Sequence, residues 1–423
     1  MKKRLALVLA LTLAVTACVG CGKTGNTKDT AVTNNEEQKD NSNKEEEVAE
    51  PSKPEYAITS VSAEGYDYFE GSVECLQITD DKHEALAAAI DEFFDGRVST
   101  FNKGVEDQNN EAKQQNEEQK QYAEEEGFDY EPIKYEEYEN VKVVRADENI
   151  LSFVIESSYY SGGAHGGAMY GGYTFDVNTG AQLSVKDYGD ESKIAATSKD
   201  FILTTIEESP EAAKEVLFDD DVTSYKQVIE DYFTGDALPE NYLDYTGITF
   251  MFQQYDLAPY AAGIVSFTVP YSAFEDFDEA YIPGDELYTK ELSLQGFNDK
   301  FDVKNNGELA TVCLVNETSD DGASSYQLIV GDANVSRDLG EYDYASGTYV
   351  HGKDGNYVVI TASGKVVLFE VSNGIRELGA LETDKNVKEI KTGEIVLAEL
   401  SYDENGESWG ESEVHKFSKS GIE

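Results

Sequence analysis

The chain has only four cysteines among its 423 residues, which argues against a disulfide framework. Two of them, Cys18 and Cys21, lie close to the start. Cys75 and Cys313 are far apart, each inside an apolar run typical of a strand, so we interpret them as two buried thiols. The fold therefore depends on a hydrophobic core, and a 40% hydrophobic content is enough for one or two.

Basic residues are also scarce. The sequence has 33 Lys and Arg against 84 Asp and Glu, a formal net charge of −51. Nucleic acids and anionic lipid surfaces carry the same sign and would be repelled, so we exclude them as partners. Cations and basic proteins are the partners that this charge favours. Plain solvation explains the same composition without any ligand, and that interpretation stays open.

Long apolar runs are missing apart from residues 5–15, which follow Lys2, Lys3 and Arg4. This run is too short to span a membrane, which takes ~20 apolar residues, and it is typical of a secretory signal. The following Val-Thr-Ala-Cys resembles a bacterial lipobox, which implies lipidation of Cys18. We predict a signal peptide over residues 1–17 and a lipid anchor on the outer face of the bacterial cell membrane. Lipidation of Cys21, or an ordinary cleaved signal, is the alternative.

Residues 18–55 are polar and acidic, with almost no apolar side chains. Such a segment cannot bury enough surface to offset its ordering entropy. We predict a disordered tether here, with folding beginning near Tyr56.

Residues 56–278 combine both kinds of periodicity and predict an α+β domain, with helices packed on a mixed or antiparallel sheet. Residues 56–79 are expected to be extended, and an apolar stripe from Leu86 to Phe101 indicates a helix. The acidic run at 106–139 is either a solvated extension of that helix or a loop. Strands are predicted at 141–146 and 150–156, and a hairpin turns at 178–180, with Leu183 and Val185 on its returning strand. Further helices at 194–206, 210–217 and 224–233 precede strands at 248–254 and 264–269.

Residues 285–423 differ from the preceding domain in their sequence pattern. Turn dipeptides such as Asn306-Gly307 and Asp354-Gly355 separate short apolar runs, and no helix of useful length is indicated. We predict an all-β meander: two propeller-like blades, a small sandwich, or a compact sheet packed on the first domain.

A glycine-rich segment at 159–173 holds the candidate binding residues, with six glycines between positions 162 and 172. Glycines at this density mark positive φ angles or a surface where a ligand approaches the backbone. A loop shaped only for its own structure is the competing interpretation. The candidates for ligand binding here are Tyr159, Tyr160, Gly162, Gly163, His165, Gly166 and Tyr170.

Two ordered motifs carry a family resemblance. The segment 160–166 followed by 173–180, and later the segment 255–263, resemble the extracytoplasmic domain shared by RsiV-type anti-sigma factors and PdaC-type peptidoglycan deacetylases. The resemblance covers about residues 56–277. It implies an α+β module that engages cell-wall glycan or a basic protein such as lysozyme, and it adds Tyr255, Pro259 and Tyr260 to the candidates.

No catalytic residue, metal ligand or cofactor is predicted. His83 and Glu84 begin like a zinc-protease motif, but Ala87 stands where the second histidine is needed. Sigma-factor regulation and deacetylation are not carried over, since neither a spanning helix nor an acidic and histidine metal motif is recognised. We therefore expect a monomeric, noncatalytic surface protein. The alternatives are a cell-wall hydrolase or deacetylase accessory enzyme, and an envelope scaffold.

Overall fold

The computed structural model describes most of the chain after the predicted tether. The described residues are 52–218, 224–235, 237–284, 287–292, 299–303, 308–318, 324–330, 336–341, 345–362, 364–371, 374–403 and 406–423. The predicted signal peptide, the lipidation of Cys18 and most of the tether lie outside them. Within the described residues, no helix combines the length and the apolar character needed to cross a membrane.

A six-stranded sheet forms the first layer, with its strands side by side in chain order. They are β1 (Tyr56–Ser62), β2 (Phe69–Ile78), β3 (Tyr135–Ala146), β4 (Ile150–Tyr160), β5 (Gly167–Asp176) and β6 (Gln182–Leu183). Only β2 and β3 are parallel. Parallel neighbours need a crossover connection, and α1 (Glu84–Glu126) supplies it. The predicted mixed sheet is confirmed.

Helix α1 packs its apolar stripe on one face of this sheet. Leu86, Ile90, Phe94 and Phe101 are buried in one cluster with strand residues that include Phe153. The helix ends at Gly127, which has a φ of 78°. The acidic run at 106–139 is therefore helix as far as residue 126 and then loop. For residues 135–139 the prediction was wrong, because they pair with β2 as the start of β3.

Four shorter helices and a three-stranded sheet build a second core. They are α2 (Val185–Tyr188), α3 (Glu191–Glu207), α4 (Pro210–Val216), α5 (Tyr225–Thr234), β7 (Glu240–Leu243), β8 (Gly247–Phe252) and β9 (Val265–Pro270). Ile202, Ile229 and Phe250 are fully buried in this core. Val185 lies in α2, not on the hairpin strand as predicted, because the Asp187 carboxylate accepts from the Ser184 backbone and hydroxyl and starts a helix there.

After β9, the described elements are strands apart from single turns of 3₁₀ helix at Tyr271–Ala273 and Glu279–Tyr281. The predicted β-rich region is confirmed. The strands are β10 (Tyr288–Glu291), β11 (Asp299–Val303), β12 (Glu308–Thr318), β13 (Ser324–Val330), β14 (Ser336–Glu341), β15 (Ala345–Gly352), β16 (Gly355–Ala362), β17 (Lys365–Glu370), β18 (Arg376–Glu382), β19 (Asn386–Lys391), β20 (Glu394–Ala398), β21 (Leu400–Asp403), β22 (Gly406–Trp409), β23 (Glu413–Ser418) and β24 (Gly421–Ile422). Five of them form a sheet with the order β10-β15-β16-β17-β18.

Strand β10 holds this β-rich region against the preceding domain. The Tyr288 ring stacks on Tyr245 with 5.0 Å between ring centroids. The Lys290 ammonium lies 3.0 Å from an Asp244 carboxylate oxygen, and both side chains are about 10% exposed. These contacts fix the two regions against each other at a junction that also contains a cavity.

Candidate functional site

One face of the first sheet carries a polar, tyrosine-rich surface. Strands β3, β4 and β5 are neighbours, with Glu136 opposite Tyr160 and Glu156 opposite Tyr170. Side chains alternate between the two faces of a strand, so residues two apart share a face. The residues of this face are Glu136, Tyr138, Glu156, Ser158, Tyr160, Ala168 and Tyr170.

The other face of the same strands is covered by α1. The Phe153 ring packs on Phe93 and Phe94 of the helix, and Arg97 pairs with Glu139 at 2.6 Å. The helix therefore occupies one side of the sheet and leaves the tyrosine-bearing side open.

The side chains of Gln253 and Gln254, which follow β8, form hydrogen bonds to the backbone of β5 at the edge of that open side. The Gln253 side chain accepts from the Tyr170 backbone N–H at 2.9 Å and donates to the Tyr170 carbonyl at 2.8 Å. The Gln254 side chain accepts from the Ala168 N–H at 3.0 Å. The two amides take the place of a neighbouring strand along this part of β5. They bring the segment 254–264 against the sheet.

Together these elements enclose a cleft of about 550 Å³, which we call the tyrosine cleft. Five tyrosines line it: Tyr138, Tyr159, Tyr160, Tyr170 and Tyr260. Among the described residues, the only charged side chains in the lining are Glu136 and Glu156. The cleft can therefore attract a cation and offer aromatic faces to it.

The hydroxyls of Tyr138 and Tyr170 stay neutral over the physiological range. Burial, followed by the nearby Glu70 carboxylate, raises the pKa of Tyr138 to about 12. Burial and a hydrogen bond to Glu156 likewise raise the pKa of Tyr170 above its ordinary value. These phenols therefore remain able to donate hydrogen bonds.

The glycine-rich turn between β4 and β5 closes one end of the cleft. Gly162 has a φ of 77°, and a Cβ there would lie 2.3 Å from Ile133. At Gly167 a Cβ would lie 2.7 Å from the Tyr159 ring, so the missing side chain makes room for that ring. The Tyr160 hydroxyl donates to the Gly163 carbonyl at 3.2 Å. These glycines thus shape both the turn and the position of a cleft tyrosine.

An aromatic cluster borders the cleft on the side of the 3₁₀ turn Tyr260–Ala262. The His165 ring lies on Tyr260, with 4.2 Å between centroids. The Tyr255 hydroxyl is 3.5 Å from His165 Nε2, and Tyr255 is the one described residue other than glycine with a positive φ, at 70°. Backbone strain of this kind clusters at functional sites.

The structure brings most of the predicted site residues together. Tyr159, Tyr160, Gly166, Tyr170 and Tyr260 line the tyrosine cleft. His165 and Tyr255 lie at its border, whereas Gly162, Gly163 and Pro259 belong to adjoining turns and are not in the lining.

Sequence reasoning missed both glutamates and the glutamine of the cleft lining. Glu136, Glu156 and Gln254 were not among the candidates, although Glu136 and Tyr138 already show the two-residue period of a strand face. Because acidic residues are abundant throughout the chain, these two glutamates were not distinguished from the others.

A Gly-x-Ser-x-Gly pattern, typical of hydrolase nucleophiles, occurs at Gly406, Ser408 and Gly410, although no catalytic residue was predicted. That motif requires a turn from a strand into a helix. Ser408 lies inside β22, its hydroxyl is 2.6 Å from that of Ser401, and the next element is the strand β23. The pattern therefore lacks the geometry of a nucleophile elbow. In the part of the chain described, no three His, Cys, Asp or Glu side chains are grouped to hold a metal ion.

Comparison with known proteins gives two family matches. The family model described as deacetylase PdaC matches residues 62–168, and the model for a protein family of unknown function, DUF3298, matches residues 192–272. The resemblance to PdaC-like domains is thereby confirmed. Both matched segments contribute to the tyrosine cleft, since Glu136 lies in the first and Tyr260 in the second. No curated protein matches the chain.

Two solved structures resemble the chain at low identity. A DUF3298 family member from Bacteroides fragilis NCTC 9343 is 19% identical, with a TM-score of 0.41, over 54% of this chain and 96% of that one. A DUF3298 family protein from Pseudomonas aeruginosa PAO1 is 14% identical, with a TM-score of 0.34, over 56% of this chain and 98% of that one.

Proposed function

We propose that this chain is a noncatalytic lipoprotein of the bacterial cell surface that binds basic side chains of a protein, such as lysozyme, in the tyrosine cleft. One observation carries the proposal. The charged lining of the cleft, among the described residues, consists of two glutamates, and the rest is dominated by tyrosine. Lysine and arginine side chains are complementary to both.

The energies involved are sufficient for specific recognition. A cation ~4 Å from a carboxylate gains about 1 kcal/mol in water and about 4 kcal/mol near a protein surface. A cation over a tyrosine face adds ~0.5–1 kcal/mol. The net charge of −51 would also attract a basic protein from a distance and raise its association rate at low salt.

A cell-wall glycan is the second candidate ligand. Tyrosine rings combine a flat apolar face with a polar tip, and the Tyr159 ring is 53% exposed at the cleft. This alternative needs no charge on the ligand, so salt dependence separates it from the first.

The cell-surface location is supported by the basic start, the short apolar run and the lipobox-like segment ending at Cys18. The matched PdaC description refers to a deacetylase, and the chemistry of that family is not assigned to this chain. We propose that the protein acts by contact and not by turnover. Release of muropeptides from purified peptidoglycan by the protein would overturn that part of the proposal.

The direct test measures binding of the full chain to immobilised lysozyme by biolayer interferometry. Replacing both cleft carboxylates, Glu136→Gln with Glu156→Gln, should weaken binding by about tenfold or more, because ~1.4 kcal/mol corresponds to a factor of ten. The matched control replaces two exposed acidic residues near the end of α1, Glu124→Gln with Glu126→Gln. It changes the net charge by the same amount.

Equal losses in the two double variants would show that only long-range charge matters and would refute the cleft as the site. The glycan alternative is tested by co-sedimentation with purified peptidoglycan in low and high salt. Tyr260→Ala should reduce salt-independent binding if the cleft holds the glycan. Absence of binding to both lysozyme and peptidoglycan at low salt would refute the proposed function.

A further inference from the structure

A second cavity of about 570 Å³ lies where the β-rich region meets the preceding domain. Its lining comes from β3, from the β7–β9 sheet, from β10, from the end of β19 and the turn after it, and from residues 53–56 at the start of β1. Binding sites occur preferentially at such junctions, and this volume falls within the ~300–1,000 Å³ range of small-molecule sites. It is separate from the tyrosine cleft and shares no lining residue with it.

The charge of this cavity is opposite to that of the chain as a whole. Three acidic side chains line it, whereas the chain has 84 acidic residues against 33 basic ones. The basic residues in the lining outnumber them and are Lys53, Lys142, Arg145, Lys290 and Lys391. Such a local reversal is not expected from composition alone. We call these five residues the basic lining.

Arg145 has unused hydrogen-bonding capacity. It is fully buried, its Nε donates to Asp147 at 2.6 Å, and its Nη1 donates to the Tyr271 hydroxyl and the Tyr281 carbonyl. Its Nη2 has no hydrogen-bond partner among the described residues. The Nη2 atom is itself buried, so Arg145 contributes a positive charge beside the cavity and not an exposed donor.

The lysines around Arg145 can reorient toward an anionic ligand in the cavity. Lys142 pairs with Glu291 at 2.5 Å and Lys391 with Glu389 at 3.0 Å, and all four side chains are more than half exposed. Exposed ion pairs contribute little stability, so exchanging a carboxylate partner for a ligand costs little. Lys290 is held more firmly, by Asp244 and by the Thr268 hydroxyl at 3.0 Å.

We propose that this cavity binds a small anion carrying carboxylate or phosphate groups. Several lysine ammonium groups around the cavity, with the buried charge of Arg145 beside them, match the negatively charged oxygens of such an anion. The stacked rings of Tyr245 and Tyr288 provide an apolar wall for the rest of the molecule. The negative charge elsewhere on the chain opposes binding only weakly, because repulsion beyond ~10 Å is screened at physiological salt.

Isothermal titration of the full chain with inorganic phosphate and, separately, with citrate tests the proposal. Sodium chloride of equal ionic strength is the reference. Saturable binding of either anion, absent with chloride, is expected. Binding of phosphate alone identifies a phosphate-bearing ligand, and binding of citrate alone identifies a carboxylate.

Two lysine variants make the test specific to the cavity. Lys142→Gln, in the basic lining, should weaken binding by about fivefold or more through loss of a charge-assisted contact. Lys193→Gln is the control, because Lys193 is equally exposed, also pairs with a carboxylate, and is not in the lining. It should change the affinity by less than about twofold. Equal effects of the two variants, or no saturable binding of either anion, would overturn the inference. Neither result depends on the tyrosine cleft.

Discussion

Replacement of Arg145 by methionine should be among the most destabilising single changes in the described part of the chain. The guanidinium and the Asp147 carboxylate are 0% and 1% exposed and lie 2.6 Å apart. Methionine fills similar space but leaves the carboxylate buried without its cation. The Tyr281 carbonyl and the Tyr271 hydroxyl lose a donor at the same time.

The expected cost follows from the contacts that remain. Breaking a buried ion pair by removing one partner costs about 3–5 kcal/mol. Asp147 keeps the hydrogen bonds that its Oδ1 accepts from the backbone of Asn149 and Ile150, so the carboxylate is still partly satisfied. We therefore expect a loss of about 3–4 kcal/mol, within a total stability of ~5–15 kcal/mol for a typical domain.

Urea unfolding followed by circular dichroism at 222 nm measures this loss, since the described α-helices lie between residues 84 and 234. Linear extrapolation gives the free energy of unfolding for each variant. Lys193→Met is the control, because it removes an exposed pair with Asp276 and should cost less than ~1 kcal/mol.

The double variant Arg145→Met with Asp147→Asn separates charge from packing. Removing the stranded carboxylate should recover at least ~1 kcal/mol relative to Arg145→Met alone. A loss below ~1 kcal/mol in the single variant, or no recovery in the double variant, would refute the reasoning.

Two further predictions concern the start of the folded region and the anchor. Although burial raises the pKa of Asp80, hydrogen bonds from the backbone of Glu55 and Lys82 outweigh it and lower the pKa to about 2. A carboxyl with a folded pKa below its unfolded value of ~3.9 stabilises the fold above about pH 4 and loses this effect as the pH falls to about 2. Stability of Asp80→Asn should therefore vary less with pH across that window, and equal slopes in both proteins would contradict it. Radiolabelled palmitate should label the wild type and Cys21→Ser in cells but not Cys18→Ser, and an unlabelled wild type would contradict the predicted anchor.

The elements of the fold could largely be predicted because their signals are local. The stripe at Leu86, Ile90 and Phe94 has a helical period, and the turn at 147–149 separates two strands that the structure confirms. The errors arose where a local contact competed with the pattern. Ser184 with Asp187 starts a helix at Val185, and parallel pairing with β2 makes a strand of residues 135–139.

The binding surface could be predicted only in part. Glycine and tyrosine density identified the segment 159–173, which contains the turn between β4 and β5 and the start of β5. The acidic residues that complete the cleft come from β3 and β4, and only the register of the sheet places Glu136 beside Tyr160. The bonds from Gln253 and Gln254 span more than 80 residues and leave no local signature.

By itself, the sequence determined the acidic charge, the order of helices and strands, and the glycine-rich turn, since each depends on composition or on neighbours a few residues apart. The tertiary structure alone decided which carboxylates share the cleft with the tyrosines and why Arg145 can be buried. The physical reason is that sheet register and the packing of β10 on the first domain bring together side chains that are distant in sequence. Charge and burial at those positions depend on that juxtaposition.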